Sequence, residues 1–226
     1  MSTDAKLAVS TVIFTLRGGT DADKNGAGAP ALWTPFVLRT RDPFQGRWAL
    51  PGGWLPDGEE LEEAAARTLA ETTGLHPSYM EQLYTFGRVD RSPTGRVVSV
   101  VYWALVRSTE VAEATPTENV RWYPADQLPE LAFDHRQIVD YALTRLRTKV
   151  EYARIAHAFL GETFTLAQLR SVHEAVLGHR VDPANFRRSA LADGELEDTG
   201  EYLAGTPHRP PKLYRYRAGV DTQPGL

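Results

Sequence analysis

A glycine-rich turn followed by a helix with regularly spaced acids is the part of the sequence best suited to chemistry. The turn includes Gly52-Gly53, and backbone N–H groups exposed before a helix are typical binding groups for phosphate. Carboxylates on the following helix are ligands that suit Mg²⁺. They recur with four-residue spacing, together with one arginine: Glu59, Glu63, Arg67 and Glu71. An ordinary surface helix with ion pairs between these residues is the alternative interpretation.

The limits of this helix can be predicted from the residues at its ends. Asp57 has the residue type of an N-cap, and Glu60 follows three residues later in the capping-box position. Gly74 is placed where a left-handed residue ends a helix. The apolar residues between them fall on one helical face: Leu61, Ala64, Ala65 and Leu69. The sequence therefore predicts an amphipathic helix with one side on a core and its acids on another.

The same stretch resembles the Nudix box. A glycine, five residues, a glutamate, seven residues and an arginine occur from Gly53 to Arg67, and a glycine and a leucine follow at Gly74-Leu75. The preceding segment Trp-Ala-Leu-Pro-Gly-Gly, from Trp48 to Gly53, is also typical of that family. The Nudix resemblance alone implies that the chain recognises a phosphate diester.

Two residues depart from the Nudix pattern. Thr68 directly follows the arginine and Thr72 follows Glu71, at positions where the pattern has glutamates. A threonine hydroxyl carries no charge and cannot replace a carboxylate ligand of Mg²⁺. We therefore predict no catalytic residues and no required cofactor. Glu59 and Glu71 remain candidates for holding Mg²⁺ if residual hydrolase activity persists.

Arginines cluster just before the glycine-rich turn, beside Trp48, whose ring is a candidate stacking platform. Guanidinium groups bind phosphate oxygens in a bidentate manner, although arginines that are simply solvated are the alternative. The segment from Arg39 to Gly53 is similar to the ADP-ribose-type branch of the family, and so is Phe86–Pro93, a hairpin that in that branch helps to form the dimer. The resemblance implies a nucleotide sugar diphosphate as ligand. The predicted ligand-binding residues are Arg39, Arg41, Arg47, Trp48, Gly52, Gly53, Arg67 and Glu71.

The composition limits the class of protein. The chain has 226 residues, of which 42% are hydrophobic and 24% charged, as in folded globular domains rather than disordered or fibrous chains. It has no cysteine, which excludes disulfides and thiolate metal sites. A net charge of −4 argues against a general polyanion binder, so any nucleic-acid surface must be local. Without a recognisable signal peptide or a long apolar span, we predict no membrane contact and a cytoplasmic location.

The pattern up to residue 133 predicts strands around the one helix. Apolar runs indicate strands at Lys6–Arg17, Leu32–Arg41, Gln82–Asp90, Arg96–Val106 and Val120–Tyr123. The composition of Gly18–Pro30 predicts a mobile loop. This set fits an α/β fold of the Nudix type, an α/β/α sandwich with a mixed sheet.

A second helix is predicted from Asp134 to Phe159. Asp134 and Gln137 have capping-box spacing, and apolar residues recur at helical intervals: Ile138, Ala142, Leu146, Val150 and Ala153. A helix of about 26 residues is about 39 Å long, which is more than a domain terminus needs. We interpret it as a bridge to a second domain, with its basic residues as solvated charges or, alternatively, as partner contacts.

The residues after 160 have the pattern of a winged helix-turn-helix domain. Thr165 and Gln168 form a capping box before one helix, and Gly178 ends it. Asp182-Pro183 then begins a second helix. Two strands, at Leu196–Leu203 and Leu213–Arg217, predict the wing.

Basic and amide side chains concentrate at the turn, the second helix and the wing tip of this region. Such side chains read bases and bind phosphates. The predicted DNA-binding residues are His179, Arg180, Asn185, Arg187, Arg188, Arg209 and Lys212. Four acids near the wing cannot lie close to phosphates, and a small structural appendage with incidental arginines is the alternative.

Residues 5–217 together resemble the NrtR family, the Nudix-related transcriptional repressors of NAD metabolism, and Asp182–Arg188 is among the most specific parts of the match. The resemblance implies a Nudix-like ADP-ribose-binding domain at 1–133, a linker helix at 134–160 and a winged helix-turn-helix domain at 161–226. It further implies a homodimer that represses genes of NAD biosynthesis or salvage and leaves its palindromic operator DNA when ADP-ribose binds.

Two other classes of protein remain open at this point. One is a metal-dependent ADP-ribose pyrophosphatase with an accessory domain, in which Glu59, Glu63 and Glu71 would gather one ion. The other is a protein-interaction scaffold, for which the sequence has no positive signal.

Overall fold

The computed structural model describes residues 4–18, 30–77, 79–114, 118–152, 154–192, 194–205 and 210–217. The chain divides into two compact units, one of Met1–Thr15 with Trp33–Arg145 and one of Leu16–Leu32 with Leu146–Leu226. This division falls within the predicted linker, and the domain ranges 1–133, 134–160 and 161–226 stay a prediction. The loop predicted over Gly18–Pro30 lies almost entirely outside the described residues. None of the described helices is long and apolar enough to span a membrane.

A mixed sheet forms the centre of the first unit. Its strands are β1 (Lys6–Arg17), β2 (Ala31–Leu38), β3 (Trp48–Ala49), β4 (Gly52–Trp54), β5 (Tyr79–Phe86), β6 (Val97–Val106) and β7 (Val120–Pro124). The strand order is β3-β2-β1-β6-β5, with β4 paired to β1 and β7 paired to β2. β1 and β6 pair in parallel from Lys6 opposite Val97 to Thr15 opposite Val106. The pairs of β1 with β4, β2 with β3, β2 with β7, and β5 with β6 are antiparallel.

Helices cover both faces of this sheet. The helices that begin in this unit are α1 (Leu61–Thr73), α2 (Ser108–Glu113) and α3 (His135–Tyr152). Ala64 and Ala65 of α1 pack with Val9 of β1 and Tyr102 of β6. Trp103 points to the opposite face, because side chains alternate along a strand. There its ring contacts Tyr79, which lies near Arg145 of α3. The predicted α/β/α sandwich with a mixed sheet is therefore confirmed.

The prediction that Asp57 caps α1 is wrong. Glu60 is the N-cap residue, and its side chain makes no capping hydrogen bond. The reason is Gly58, whose left-handed φ of +83° keeps the chain in a turn beyond Asp57. At the other end, Gly74 has a φ of +69° and ends the helix as predicted.

The predicted strand Leu32–Arg41 ends earlier, at Leu38. The backbone N–H of Arg39 donates to Arg47 O at 2.9 Å, and Gly46 N donates to Arg39 O at 2.8 Å. These bonds close the loop between β2 and β3, so both Arg39 and Arg41 lie on a loop rather than on a strand.

The single helix predicted from Asp134 to Phe159 is also wrong. α3 ends at Tyr152, and a 3₁₀ helix follows at Arg154–Phe159. Ile155, Ala156 and Phe159 are buried in this 3₁₀ segment, so packing within the second unit outweighs the helical periodicity of the sequence. Sequence analysis also missed the short helix α2.

The second unit has the predicted order of helices and strands. After the 3₁₀ helix come α4 (Leu166–Leu177), α5 (Pro183–Ala192), β8 (Leu196–Tyr202) and β9 (Lys212–Tyr216). Thr165 and Gln168 form the predicted capping box, and Gly178 ends α4 with a left-handed φ of +77°. Asp182 caps α5, since its Oδ1 accepts a 2.8 Å hydrogen bond from Asn185 N. β8 and β9 form an antiparallel hairpin, and Phe164 pairs with Tyr214 beside it.

We expect Gly52→Ala to destabilise the first unit by about 2–3 kcal/mol, because the new side chain has no space. A Cβ at residue 52 would lie 2.3 Å from Val9 O on the paired strand. Gly46→Ala is the control, since its Cβ meets no atom within 4 Å and only the φ of +81° resists it, at about 1 kcal/mol. Urea unfolding followed by tryptophan fluorescence measures both variants, because all five tryptophans lie in the first unit: Trp33, Trp48, Trp54, Trp103 and Trp122. Equal destabilisation by the two substitutions would contradict the steric argument.

Candidate ligand cleft and nucleic-acid interface

A cleft of about 370 Å³ opens on the first unit beside the glycine-rich turn. Its walls come from β1, from the loop after β2, from the turn between β3 and β4, from the loop between β5 and β6, and from the start of α3. Four of the predicted ligand-binding residues line it: Arg39, Arg41, Gly52 and Gly53. The other four, Arg47, Trp48, Arg67 and Glu71, are absent from the lining that the described residues form.

Arg39 lines the cleft and also holds the loop after β2 together. Its Nε donates to Pro43 O at 2.7 Å and its Nη2 to Arg41 O at 3.3 Å. The guanidinium also lies over the ring of Phe133, 4.8 Å from the ring centre. Partial burial lowers the pKa of Arg39, against the effect of nearby Asp42. Arg39 therefore positions the loop that carries Arg41.

Arg41 is exposed at the edge of the cleft. Within the described part of the chain, its guanidinium has no ion-pair partner. A guanidinium with open donors at the mouth of a cleft suits a phosphate group.

Arg47 and Trp48 are engaged elsewhere. Arg47 Nη1 lies 2.6 Å from Glu130 Oε1. The ring of Trp48 meets Tyr123 edge-on at 5.6 Å, and the guanidinium of Arg121 lies 5.7 Å from its centre. The structure therefore uses Trp48 to pack β3 against β7, and its predicted role as a stacking platform in the cleft has no geometric support.

Ion pairs dominate the exposed side of α1. Both nitrogens Nε and Nη2 of Arg67 donate to the Glu59 carboxylate at 2.7 Å, and Nη1 donates to Glu71 at 3.3 Å. The hydrogen bond from Arg67 lowers the pKa of Glu59. The interpretation of this face as an ion-paired surface helix therefore describes these residues well.

The two threonines direct their hydroxyl groups into the helix. Thr68 Oγ1 donates to Ala64 O at 2.8 Å, and Thr72 Oγ1 donates to Thr68 O at 2.6 Å. Thr68 is buried, and its methyl carbon would lie 3.2 Å from a Cβ at Gly53. Among the described residues, no three His, Asp or Glu side chains come together to hold a metal. The side chains at these two Nudix positions are therefore hydroxyls that bond to helix carbonyls, and they offer Mg²⁺ no carboxylate.

Sequence analysis missed the roles of three residues at the start of α3 and in the loop that faces it, two of which line the cleft. Arg91 Nε and Nη2 donate to the two carboxylate oxygens of Asp134 at 2.9 and 2.8 Å, with only 5% and 9% of these side chains exposed. Asp134 thus pairs with Arg91, although its position predicts a helix cap. His135 and Arg91 both line the cleft. The Phe86–Pro93 resemblance was the available signal for Arg91, but it suggested a dimer contact.

His135 is held in one tautomer. Leu50 N donates to its Nδ1 at 2.9 Å, so in the neutral ring the proton is on Nε2. Burial lowers the pKa of His135 to about 4. The neutral ring therefore fixes the segment before Gly52-Gly53 to the first residue of α3.

We expect the first unit to lose stability as the pH falls from about 6.5 to about 4, because of His135. Its folded pKa of about 4 is below the ordinary 6.5, so in this window the unfolded chain binds a proton that the folded chain does not. That difference costs up to about 1.4 kcal/mol per pH unit. Urea unfolding at a series of pH values between 6.5 and 4.5 gives the free energy of unfolding as a function of pH. This free energy should fall less steeply with decreasing pH in His135→Asn, whose Oδ1 can still accept the hydrogen bond from Leu50 N. The exposed His76→Asn is the control, and identical slopes in all three proteins would contradict this account.

The second unit exposes the helix α5 almost completely. None of its residues is fully buried, and Phe186 is half-buried. Arg187 and Arg188 are exposed, and Arg188 Nη2 donates to Asn185 Oδ1 at 2.7 Å. His179 and Arg180 are exposed in the turn before α5. The side chains predicted to contact DNA from the turn and the helix therefore all lie on the surface of the second unit.

Two basic side chains of the wing are paired with carboxylates, so their positive charge is partly neutralised. Lys212 pairs with Asp198, and Arg215 with Glu197, across the β8–β9 hairpin. The hydrogen bond to Asp198 raises the pKa of Lys212. Arg209, predicted at the wing tip, lies outside the described residues.

Two family models match the chain, one on each predicted domain. Residues 26–142 match the NUDIX domain, and residues 156–216 match the NrtR DNA-binding winged helix domain. The ADPR responsive transcriptional repressor NtrR of Acinetobacter baylyi is 33% identical over 187 residues, which are 80% of this chain and 74% of that protein.

Solved structures of Shewanella oneidensis NrtR are similar over the same regions. One crystal structure is 37% identical, with a TM-score of 0.77 over 93% of this chain and 94% of its own. Another, complexed with a 27mer DNA, is 35% identical, with a TM-score of 0.75 over 93% of each chain. The NUDIX domain of the same protein, complexed with ADP ribose, is 36% identical over 64% of this chain and 90% of its own, with a TM-score of 0.51. The chain therefore belongs to the NrtR family, with a Nudix domain followed by a DNA-binding winged helix domain.

Proposed function

We propose that this protein is a transcriptional repressor that binds operator DNA through its second unit and releases it when ADP-ribose occupies the cleft of the first. The observation that carries the proposal is the combination of a cleft with an open arginine and an almost fully exposed α5 in one chain. The repressor of Acinetobacter baylyi, described as ADPR responsive, supports the same combination of effector and DNA.

The chemistry of the cleft supports a nucleotide sugar diphosphate as effector. Its volume of about 370 Å³ is within the range of small-molecule sites. Arg41 offers a cation for phosphate at the mouth, while Ser10 and Ser99, 3.2 Å apart, supply hydroxyl groups inside. The ADP ribose complex of the related Shewanella NUDIX domain supports ADP-ribose in particular.

We propose that the Nudix domain binds its ligand without appreciable hydrolysis. The Thr68 and Thr72 hydroxyls are engaged by helix carbonyls, and the carboxylates of Glu59 and Glu71 are engaged by Arg67. With threonines in place of two glutamates and the remaining Nudix glutamates held by Arg67, these positions offer Mg²⁺ fewer ligands than it needs to activate water. ADP-ribose pyrophosphatase activity is therefore the less supported alternative.

The protein is further proposed to act as a homodimer on a palindromic operator, since a single winged helix makes few base contacts and two-fold symmetry doubles them. Genes of NAD biosynthesis or salvage remain the predicted targets from the family resemblance. A cytoplasmic location follows from the proposed DNA partner.

A gel shift with promoters of its own gene and of NAD genes tests the proposal, with and without ADP-ribose. We expect a shifted protein–DNA complex that dissociates when ADP-ribose is added. A parallel assay with Mg²⁺ should show ADP-ribose turnover well below about 1 s⁻¹, the lower end for ordinary enzymes. A complex indifferent to ADP-ribose, together with fast turnover, would favour the pyrophosphatase.

We expect Arg41→Ala to raise the Kd for ADP-ribose by roughly 10–150-fold, because a hydrogen bond to a charged group is worth about 1.5–3 kcal/mol. Operator binding without ligand should be unchanged, since Arg41 belongs to the first unit. Arg47→Ala is the matched control, as that arginine pairs with Glu130 outside the cleft lining. Titration calorimetry measures the ADP-ribose affinity of both variants. An equal loss of affinity in the two would indicate that the ligand also contacts Arg47.

Arg187→Ala should weaken operator binding by roughly 5–150-fold, the loss of about 1–3 kcal/mol expected when a base-reading side chain is removed. Binding to unrelated DNA should fall much less. The control is Arg215→Ala, an exposed arginine of the wing that pairs with Glu197. If Arg187→Ala binds the operator normally in a fluorescence anisotropy titration, another surface reads the bases.

A further inference from the structure

Three consecutive residues before and at the start of α3 each contact a different wall of the cleft. Phe133 lies under the guanidinium of Arg39, in the loop after β2. Asp134 holds Arg91, in the loop between β5 and β6, with two hydrogen bonds. His135 accepts the N–H of Leu50, from the turn between β3 and β4. A ligand that moves any of these walls therefore acts on the same tripeptide.

The backbone of this tripeptide is held in an uncommon conformation. Phe133 has a φ of +55°, and Phe44, whose ring meets that of Phe133 at 4.8 Å, has a φ of +64°. Among the described residues, these two are the non-glycine positions with positive φ. Bulky residues rarely adopt this conformation, and they keep it only where the surroundings impose it. The contacts of the cleft walls are such surroundings.

The tripeptide is also the origin of α3. Asp134 O accepts the hydrogen bond from Ile138 N, and His135 is the first helical residue. α3 runs to Tyr152, and its residues from Leu146 onward belong to the second unit. A change in the position of Asp134 therefore changes where the helix that enters the second unit begins.

We propose that Phe133-Asp134-His135 is the coupling segment through which an anionic ligand in the cleft acts on the DNA-binding unit, with Asp134 as its central positioning residue. This inference rests on the proposed function and assigns the regulation of that same cleft. A diphosphate entering the cleft competes with Asp134 for Arg91, which lines it. The ligand then favours a different placement of Asp134, and this difference in affinity between two states is what a switch requires.

Asp134→Asn tests the coupling segment, with Asp90→Asn as the matched control. Asp90 also binds an arginine, Arg88, through two hydrogen bonds of 3.1 and 2.8 Å in the same β5–β6 loop, but that pair is exposed. The measured quantity is the operator Kd with ADP-ribose divided by the operator Kd without it. Each variant is measured at an ADP-ribose concentration that saturates it. The parent and Asp90→Asn should share a ratio in the ordinary range for such switches, about 5–150. In Asp134→Asn we expect the ratio to fall below about twofold, while operator binding without ligand persists.

A purely structural role for Asp134 predicts a different result. In that case Asp134→Asn would lower the stability of the protein and its affinities for operator DNA and ADP-ribose. The ratio of operator Kd values with and without saturating ADP-ribose would still equal that of the parent, and that outcome would overturn the inference. Asp134→Glu keeps the negative charge. Its ratio of operator Kd values with and without ADP-ribose should lie between those of Asp134→Asn and the parent. A parent protein that shows no response to ADP-ribose would instead contradict the proposed function itself.

Amide hydrogen exchange on the unmodified protein keeps the inference testable if Asp134→Asn does not fold. Saturation with ADP-ribose should change the exchange of peptides covering residues 133–139 and 88–92. Peptides from β7 (Val120–Pro124) serve as the reference. Unchanged exchange at 133–139 in a protein that binds ADP-ribose and releases DNA would overturn the inference.

Discussion

The parallel pairing of β1 with β6 is the constraint on which the rest of the first unit depends, because it decides which side chains face each helix. Val9 and Tyr102 point towards α1, whereas the hydroxyls of Ser10 and Ser99 meet on the other face and line the cleft. Side chains alternate along strands, so a shift of one residue would exchange the two sets. The core under α1 and the polar interior of the cleft therefore depend on one register.

The sequence predicts the helices and strands well where local patterns determine them. The capping box of Thr165, the left-handed stops at Gly74 and Gly178, and the extent of β1 all follow from residues that are neighbours along the chain. Patterns that compete with tertiary contacts are predicted poorly. The periodicity from Asp134 to Phe159 indicates one helix, but burial of Ile155 and Phe159 favours a 3₁₀ segment in its last part.

The lining of the cleft was predicted in part for the same reason. Arg39, Arg41 and the two glycines could be identified from their proximity to a known motif. Arg91 and Asp134 are 43 positions apart, and only the folded chain reveals their pairing. Trp48 shows the converse, since an aromatic residue beside arginines suggests stacking on a ligand, while packing between strands accounts for it. The threonines of α1 satisfy their hydroxyl groups on carbonyls of the same helix, a pairing that is local but that their residue type alone does not determine.

The ion pairs across the wing have a consequence for how strongly the DNA affinity of this protein depends on the salt concentration. A lysine that is solvated releases a counterion from DNA when it binds a phosphate, and each such release steepens the dependence of affinity on salt. Lys212 and Arg215 already have carboxylate partners in Asp198 and Glu197. On binding a phosphate they would exchange one anion for another, and the freed carboxylate would require a cation of its own. Paired in this way, Lys212 and Arg215 would add less to the salt dependence of DNA binding than two unpaired basic residues would.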